Sequence, residues 1–387
     1  MSKIQELISE LCPNGVEYKK LEDCCTVLDR QRKPVTKTAR EAGEYPYYGA
    51  NGIQDYVSDY IFDGTYVLVG EDGSVITPAG TPVVNWAEGK IWVNNHAHII
   101  EEKEGVLLRY LYHYLQIVDV TPLIHGNIPK LTGGDFKALV VPVPPLEVQS
   151  EIVHILDSFT LLTAELTAEL TARKKQYEYY MESLLSFDDS VEYYSLEDIC
   201  EIVDYRGKTP KKVESGVFLI TAKNIRKGYI DYEKSQEFIA EDDYAEVMRR
   251  GLPKIGDILI TTEAPCGNVA QIDREDIALA QRVIKYRPKN KNMVNPYFLK
   301  YVLLGNEFQN KLQINATGGT VKGIKGSKLH KLTVPIPALE EQERIVGLLD
   351  RFDVLCNNIS EGLPAEIDAR NKQYEFYRKK LLSFEEL

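Results

Sequence analysis

The 387-residue sequence lacks any apolar run approaching the ~20 residues that cross a bilayer, which excludes a helical membrane protein. Nor is the start of the sequence expected to be a signal peptide. Ile4, Leu7, Ile8 and Leu11 recur at helical intervals among acidic residues, so Met1 to Leu11 reads as an amphipathic helix. The six cysteines (Cys12, Cys24, Cys25, Cys200, Cys266, Cys356) form no C-x-x-C pair and no regular framework. Reduced cysteines in a cytoplasmic protein are the simplest account.

Catalytic signatures are scarce as well. Gly318-Gly-Thr-Val-Lys-Gly-Ile-Lys325 is glycine-rich, but Ile324 follows Gly323 where a nucleotide-binding Walker loop requires lysine. Asn295-Pro296-Tyr297-Phe298 lacks the second proline of the Asn-Pro-Pro-Tyr motif of adenine methyltransferases, and no glycine-rich cofactor loop follows an early strand. It reads instead as a helix start with Pro296 in the first turn. His96-x-His98 has no third ligand at useful spacing, so ordinary histidines are expected and no metal. No nucleophile–histidine or paired-carboxylate motif stands out, and no catalytic residue is assigned.

A net positive charge is missing too: the chain carries −12. The segments differ, however. Residues 16–140 hold 12 Lys and Arg against 17 Asp and Glu, a net −5, whereas 191–333 hold 23 against 19, a net +4. Residues 141–190 and 334–387 are acidic, at −6 and −4. Local patches decide contact with nucleic acid more than the sum does.

What the chain does have is a repeat of about half its length. Val141-Pro-Val-Pro-Pro-Leu-Glu-Val-Gln-Ser-Glu-Ile-Val-His-Ile-Leu-Asp-Ser-Phe159 returns as Val334-Pro-Ile-Pro-Ala-Leu-Glu-Glu-Gln-Glu-Arg-Ile-Val-Gly-Leu-Leu-Asp-Arg-Phe352. Lys175-Gln-Tyr-Glu-Tyr-Tyr180 returns as Lys372-Gln-Tyr-Glu-Phe-Tyr377. The prolines hold the chain extended, and a helix can start only after them. Ile152, Ile155, Leu156, Phe159, Leu162, Leu166 and Leu170 then fall on one stripe, as do Ile345, Leu348, Leu349, Phe352, Leu355 and Ile359. Gly362 and Pro364 interrupt the second copy, and Pro364 suits the first turn of a new helix running to about Phe384.

The remaining segments repeat more loosely. Val16-Glu-Tyr answers Val191-Glu-Tyr, Gly64-Thr-Tyr-Val-Leu-Val69 answers Gly256-Asp-Ile-Leu-Ile-Thr261 as a short buried strand, and Tyr110–Leu115 answers Tyr297–Val302 as a helix. The expected fold is therefore α+β: globule, long helix, globule, long helix. The two helices are expected to pair as an antiparallel coiled coil, giving an internal repeat with pseudo-two-fold symmetry. The boundaries are 1–15 for the N-terminal helix, 16–140 and 191–333 for the globules, and 141–190 and 334–387 for the helical regions. B-DNA offers half-sites related by the same symmetry.

The proline–Leu-Glu-x-Gln blocks, the Lys-Gln-Tyr-Glu segments and Ser360-Glu-Gly-Leu-Pro364 resemble the conserved regions of type I restriction-modification specificity subunits. The likeness covers essentially the whole chain. Thr163-Ala-Glu-Leu-Thr-Ala-Glu-Leu170 is similar to the four-residue spacer repeat of the type IC class. The resemblance implies two target recognition domains (16–140 and 191–333) reading a bipartite double-stranded DNA sequence, with the chain itself non-catalytic. It also implies two methyltransferase subunits docked on the helical regions and two restriction subunits in the full complex. S-adenosylmethionine, ATP and Mg would belong to those partners and none to this chain. Thr163, Leu166, Thr167 and Leu170 would form the spacer.

Candidate DNA contacts are the basic loops at one repeat position: Arg30, Arg32, Lys33 and Lys37 in one globule, Arg206, Lys208, Lys211 and Lys212 in the other. Such side chains fix phosphates and read guanine edges; the competing reading is a solvated loop. Thr320, Lys322 and Lys325, with Lys130 as counterpart, are further phosphate candidates. Lys223, Asn224, Arg226 and Asn51 are weaker, because Asn reads adenine but Asn51-Gly52 also suits a plain turn. Tyr177, Tyr180, Tyr374 and Tyr377 either stack on bases or, at helical spacing in an acidic coiled coil, pack a helix or a partner protein. A self-contained methyltransferase or nuclease would need motifs that are missing. A coiled-coil scaffold without DNA is the other alternative.

Overall fold

The computed structural model describes residues 3–73, 75–205, 210–318, 322–357 and 361–387. It divides into two compact units, one of Met1–Thr167 with Glu366–Leu387 and one of Ala168–Ala365.

Unit 1 is built on a six-stranded sheet, in the order Cys25–Val27, Ala97–Glu102, Phe62–Gly70, Val84–Val93, Ala42–Gly49, Gly52–Val57. Phe62–Gly70 is central, and its run Tyr66-Val-Leu-Val69 is buried, because helical packing covers one side and aromatic and aliphatic side chains the other. On one face lie Leu108, Tyr110, Leu111 and Leu115 of the helix Leu108–Leu115, joined by Val148, Ile152 and Leu156 of the long helix. On the other lie Tyr48, Phe62, Leu68, Ile91 and Ile99.

Unit 2 repeats the central part of this plan. Cys200–Asp204 pairs with Val283–Pro288, which pairs with Ile258–Thr261, as Cys25–Val27 pairs with Ala97–Glu102 and that strand with Phe62–Gly70. A second four-stranded sheet, ordered Lys212–Val213, Phe238–Ile239, Val217–Ile220, Ile277–Leu279, is peculiar to this unit. Asn295 starts the helix Pro296–Leu304, its side chain accepting from Tyr297 N at 2.8 Å with Pro296 in the first turn.

The repeated motifs now acquire physical reasons. Glu17–Lys20 pairs antiparallel with Val140–Val143, and Tyr193–Ser195 pairs with Thr333–Pro335. Each Val-Glu-Tyr segment thus leads into the partner strand of the proline block. After the prolines, the glutamine of Leu-Glu-x-Gln is fully buried and saturated in both copies. Gln149 accepts from Leu107 N (2.9 Å) and donates to Gly105 O (3.1 Å) and Pro144 O (2.8 Å). Gln342 accepts from Asn295 N (2.8 Å) and donates to Met293 O (2.9 Å) and Pro337 O (2.8 Å). Each glutamine ties the start of its long helix to the loop before the sheet-packing helix. Losing it would leave three backbone groups without their partner, at about 1–3 kcal/mol for a group that stays shielded from water and less for an exposed one such as Gly105.

The first long helix is continuous from Leu146 to Leu184, 39 residues, and passes from unit 1 to unit 2 within the Thr163–Leu170 repeat. The second copy is two 19-residue helices, Leu339–Asn357 and Leu363–Leu381, the latter ending before the expected Phe384. Ile359 and Ser360 lie outside the described residues. In unit 1, Tyr377 stacks on Phe159 with ring centroids 5.5 Å apart; in unit 2, Tyr180 meets Phe352 at 5.4 Å. The C-terminal segment lies against the start of the first globule: Val16 N donates to Glu385 O (2.9 Å) and the Tyr18 hydroxyl to Phe384 O (2.7 Å).

Candidate nucleic-acid interface

In unit 1 the basic loop follows the sheet strand Cys25–Val27 as a short turn, Asp29–Gln31. Arg30, Lys33 and Lys37 are exposed. Arg32 is not, which corrects its assignment as a DNA contact. Its side chain is 11% exposed and donates to Asp29 O (2.9 Å), Ala97 O (2.6 Å) and the Glu71 carboxylate (2.6 Å). It braces the loop against the sheet. The loop is pinned further by Trp92, whose indole donates to Lys33 O at 2.7 Å.

Lys130 also bonds Glu71, at 3.2 Å, and keeps 45% of its side chain exposed. Asn51 is exposed in the turn between Ala42–Gly49 and Gly52–Val57, where Gly52 adopts φ +96°, a conformation that favours glycine.

His96 and His98 part company. His96 is half exposed and contacts the Asp72 carboxylate. His98 is fully buried, stacked on Phe136 with centroids 4.3 Å apart, its Nδ1 on Asp29 (2.7 Å) and Nε2 on Leu131 O (3.0 Å). Burial works to raise the Asp29 pKa; the His98 hydrogen bond and charge, the Ile99 amide and Arg32 outweigh it, and the net shift is downward. Asp29, Glu71 and His98 do bring three ligand atoms within 4.8 Å of one another, a grouping that sequence spacing hid. Arg32 and Lys130 already supply the cations that this cluster needs, so its chemistry is that of an ion-pair network.

In unit 2, Arg206 and Lys208 lie outside the described residues, as does Thr320. Lys211 and Lys212 are exposed, and Lys212 pairs with Glu237 at 2.7 Å. Lys223 is exposed. Asn224 is a second correction: it is fully buried, and its amide is used up within the fold. It accepts from Thr221 N (3.0 Å) and Thr221 Oγ1 (2.9 Å) and donates to Asp231 O and Ser235 O (both 2.9 Å), so it has nothing left for a base. Arg226 is held by Asp231 at 3.2 Å. Lys322 and Lys325 are exposed and line an open cavity of about 400 Å³ with Thr262, Glu263, Arg282 and Thr317. The sequence pattern does not single out Arg282; its place just before Val283–Pro288 becomes visible only once that strand is matched to Ala97–Glu102.

The four tyrosines serve the helices. Tyr177 is half-buried with its ring 6.2 Å from Phe352, and Tyr374 is half-buried with its hydroxyl 3.2 Å from His113 Nδ1. Those two pack within the helical regions, while Tyr180 and Tyr377 keep 39% and 41% exposure. Of the residues expected to form a spacer, Thr163, Leu166 and Leu170 are half-buried, and Thr167 is exposed with its hydroxyl on Thr163 O (2.7 Å). Among the described residues, no helix is long and apolar enough to cross a membrane.

Comparison with known proteins matches both halves of the chain. The type I restriction modification DNA specificity domain matches twice, at residues 13–173 and 188–369. A putative type I restriction enzyme specificity subunit of Haemophilus influenzae is 37% identical over 95% of this chain and 96% of its own length. The EcoR124I/EcoR124II specificity subunit of Escherichia coli is 35% identical over 72% of this chain and 71% of its own. The crystal structure of a type I restriction-modification S subunit from M. genitalium shares the fold, with a TM-score of 0.59 at 16% identity, covering 96% and 97% of the two chains. The chain belongs to the family of type I restriction-modification specificity subunits and carries two copies of their DNA specificity domain.

Proposed function

We propose that this chain reads a bipartite DNA target, one half with each of the segments 16–140 and 191–333, and has no catalytic role of its own. The observation that carries the reading is the duplication itself. The same three-stranded core, glutamine latch and sheet-packing helix occur twice, each with its own set of exposed cations. Arg30, Lys33 and Lys37 are offered by the first copy, and Lys211, Lys223, Lys322 and Lys325 by the second. A reader of two different half-sites needs this combination of common scaffold and divergent surface.

The helical regions 141–190 and 334–387 would pair as an antiparallel coiled coil, with the Tyr377–Phe159 and Tyr180–Phe352 contacts as its aromatic rungs. Their acidic surface repels DNA and suits protein partners: two methyltransferase subunits, and two restriction subunits in the full nuclease. Adenine methylation and ATP-dependent cleavage, with their S-adenosylmethionine, ATP and Mg, would reside in those partners, in the cytoplasm. A mobility-shift assay with the methyltransferase present tests this reading. The expected result is a shift that weakens steeply as salt rises, since each neutralised phosphate releases counterions. Assembly with the methyltransferase but no DNA shift would leave only a scaffold.

A further inference from the structure

Three backbone segments cross at one corner of each repeat, and they cross in the same way. In unit 1, Glu71 N donates to His96 O (2.8 Å) and Leu131 N donates to Glu71 O (2.8 Å). In unit 2, Thr262 N donates to Arg282 O (2.9 Å) and Ile324 N donates to Thr262 O (3.0 Å). The flanking register agrees. Asp72 bridges to Lys130 and Glu263 to Gly323, while Ala97 faces Gly70 and Val283 faces Thr261. Residue for residue, His96 answers Arg282 and Asp72 answers Glu263. Each pair is in contact: His96 meets the Asp72 carboxylate, and Arg282 Nε lies 3.5 Å from Glu263 Oε2.

The shared backbone presents different chemistry. The unit 1 corner sets an imidazole and Lys130 beside two carboxylates, Asp72 and Glu71. At the unit 2 corner Arg282, Lys322 and Lys325 face an open cavity of about 400 Å³ together with one carboxylate, Glu263. Arg282 keeps 57% of its side chain exposed. It does so at φ +74°, in the left-handed region where a non-glycine residue is strained, with its carbonyl held by Thr262 N and Oγ1 (2.9 and 3.3 Å). Strain of this kind persists where the side chain has work to do.

We propose that this corner is a base-reading point of each domain, with Arg282 a specificity-determining residue for the second half-site and His96 its counterpart for the first. Lys322 and Lys325 hold the adjacent phosphates, as compact cations do. Arg282 presents only donors, in a planar fork, and therefore selects the paired acceptors N7 and O6 of a guanine in the major groove. His96, a single imidazole tied to Asp72, reads a different edge. The inference rests on the reading of the chain as a bipartite DNA reader.

The test uses the full chain with its methyltransferase. The probes are a duplex carrying the motif methylated in cells that hold both proteins, and a panel in which each base pair of the second half-site is replaced in turn. Arg282→Gln should bind the cognate duplex about tenfold or more weakly and lose discrimination at one guanine, with the first half-site read as before. Arg282→Gly should melt no lower than the wild type, because glycine accepts the backbone, and should lose the same discrimination. That second variant separates recognition from folding. Uniform weakening over the whole panel, with a salt slope lower by about one, would make Arg282 a phosphate contact and overturn the proposal. So would unchanged discrimination in both variants. If the wild-type complex binds no duplex of the panel, the DNA reading itself fails, and this inference with it.

Discussion

His113 Nε2 lies 2.8 Å from Asp157 Oδ1, and in the second repeat the hydroxyl of Tyr301 makes the equivalent bond to Asp350. The Leu-Asp-x-Phe motif therefore meets a side chain of the sheet-packing helix in both units, an imidazole in the first and a phenol in the second. Burial pushes the His113 pKa down to about 4, and Asp157 offsets only part of that shift. His113 is consequently neutral in the folded state, whereas an unfolded chain would protonate it near the ordinary value of about 6.5. Its contribution is fully present above pH 6.5 and is lost as the pH falls towards 4, by about 3 kcal/mol at most. Thermal unfolding of unit 1 should fall more steeply between pH 7 and 5 than that of unit 2, and His113→Gln should flatten the difference. Parallel pH profiles in the wild type would refute this.

Arg30 and Arg32 differ by two positions and should differ wholly in effect. Arg30→Ala removes an exposed cation, so DNA binding should weaken and its salt slope drop by about one, with the melting temperature unchanged. Arg32→Ala strands the Ala97 carbonyl and leaves Glu71 with Lys130 as its cation, and should cost about 2–3 kcal/mol of stability. Paired melting and salt-titration curves check both outcomes.

The contrast between these two arginines shows which parts of the molecule a sequence exposes. The repeat, the helix starts at the proline blocks and the helix start with Pro296 in its first turn were legible, because each depends on residues close together in the chain. The fate of Arg32 depends on Glu71 and Ala97, the latter 65 positions away, and that of Asn224 on a turn closed by Asp231 and Ser235. Nothing in a run of basic residues distinguishes the cation that braces from the cation that projects. Arg282 escaped for the same reason, since its match with His96 is one of strand register and not of local pattern.

The helix Leu146–Leu184 is continuous through the Thr-Ala-Glu-Leu repeat. One added Thr-Ala-Glu-Leu unit lengthens it by about 6 Å and turns it by about 40°. A base-pair step is about 3.4 Å and about 35°. The angle nearly matches one step, and the apolar stripe keeps its face. Inserting a third copy after Leu170 should widen the gap between half-sites, by one base pair, with both half-site sequences unchanged. An active insertion variant with an unchanged gap would mean that this helix does not set the distance.

The central claim, two independent readers on one chain, is tested most directly by exchanging residues 16–140 for the same segment of another family member. Methylated adenines would then be mapped genome-wide in cells holding the exchanged chain and its methyltransferase. The account predicts a new motif in which one half has changed and the other, read by 191–333, is the original. A motif changed in both halves, or in neither, would contradict it.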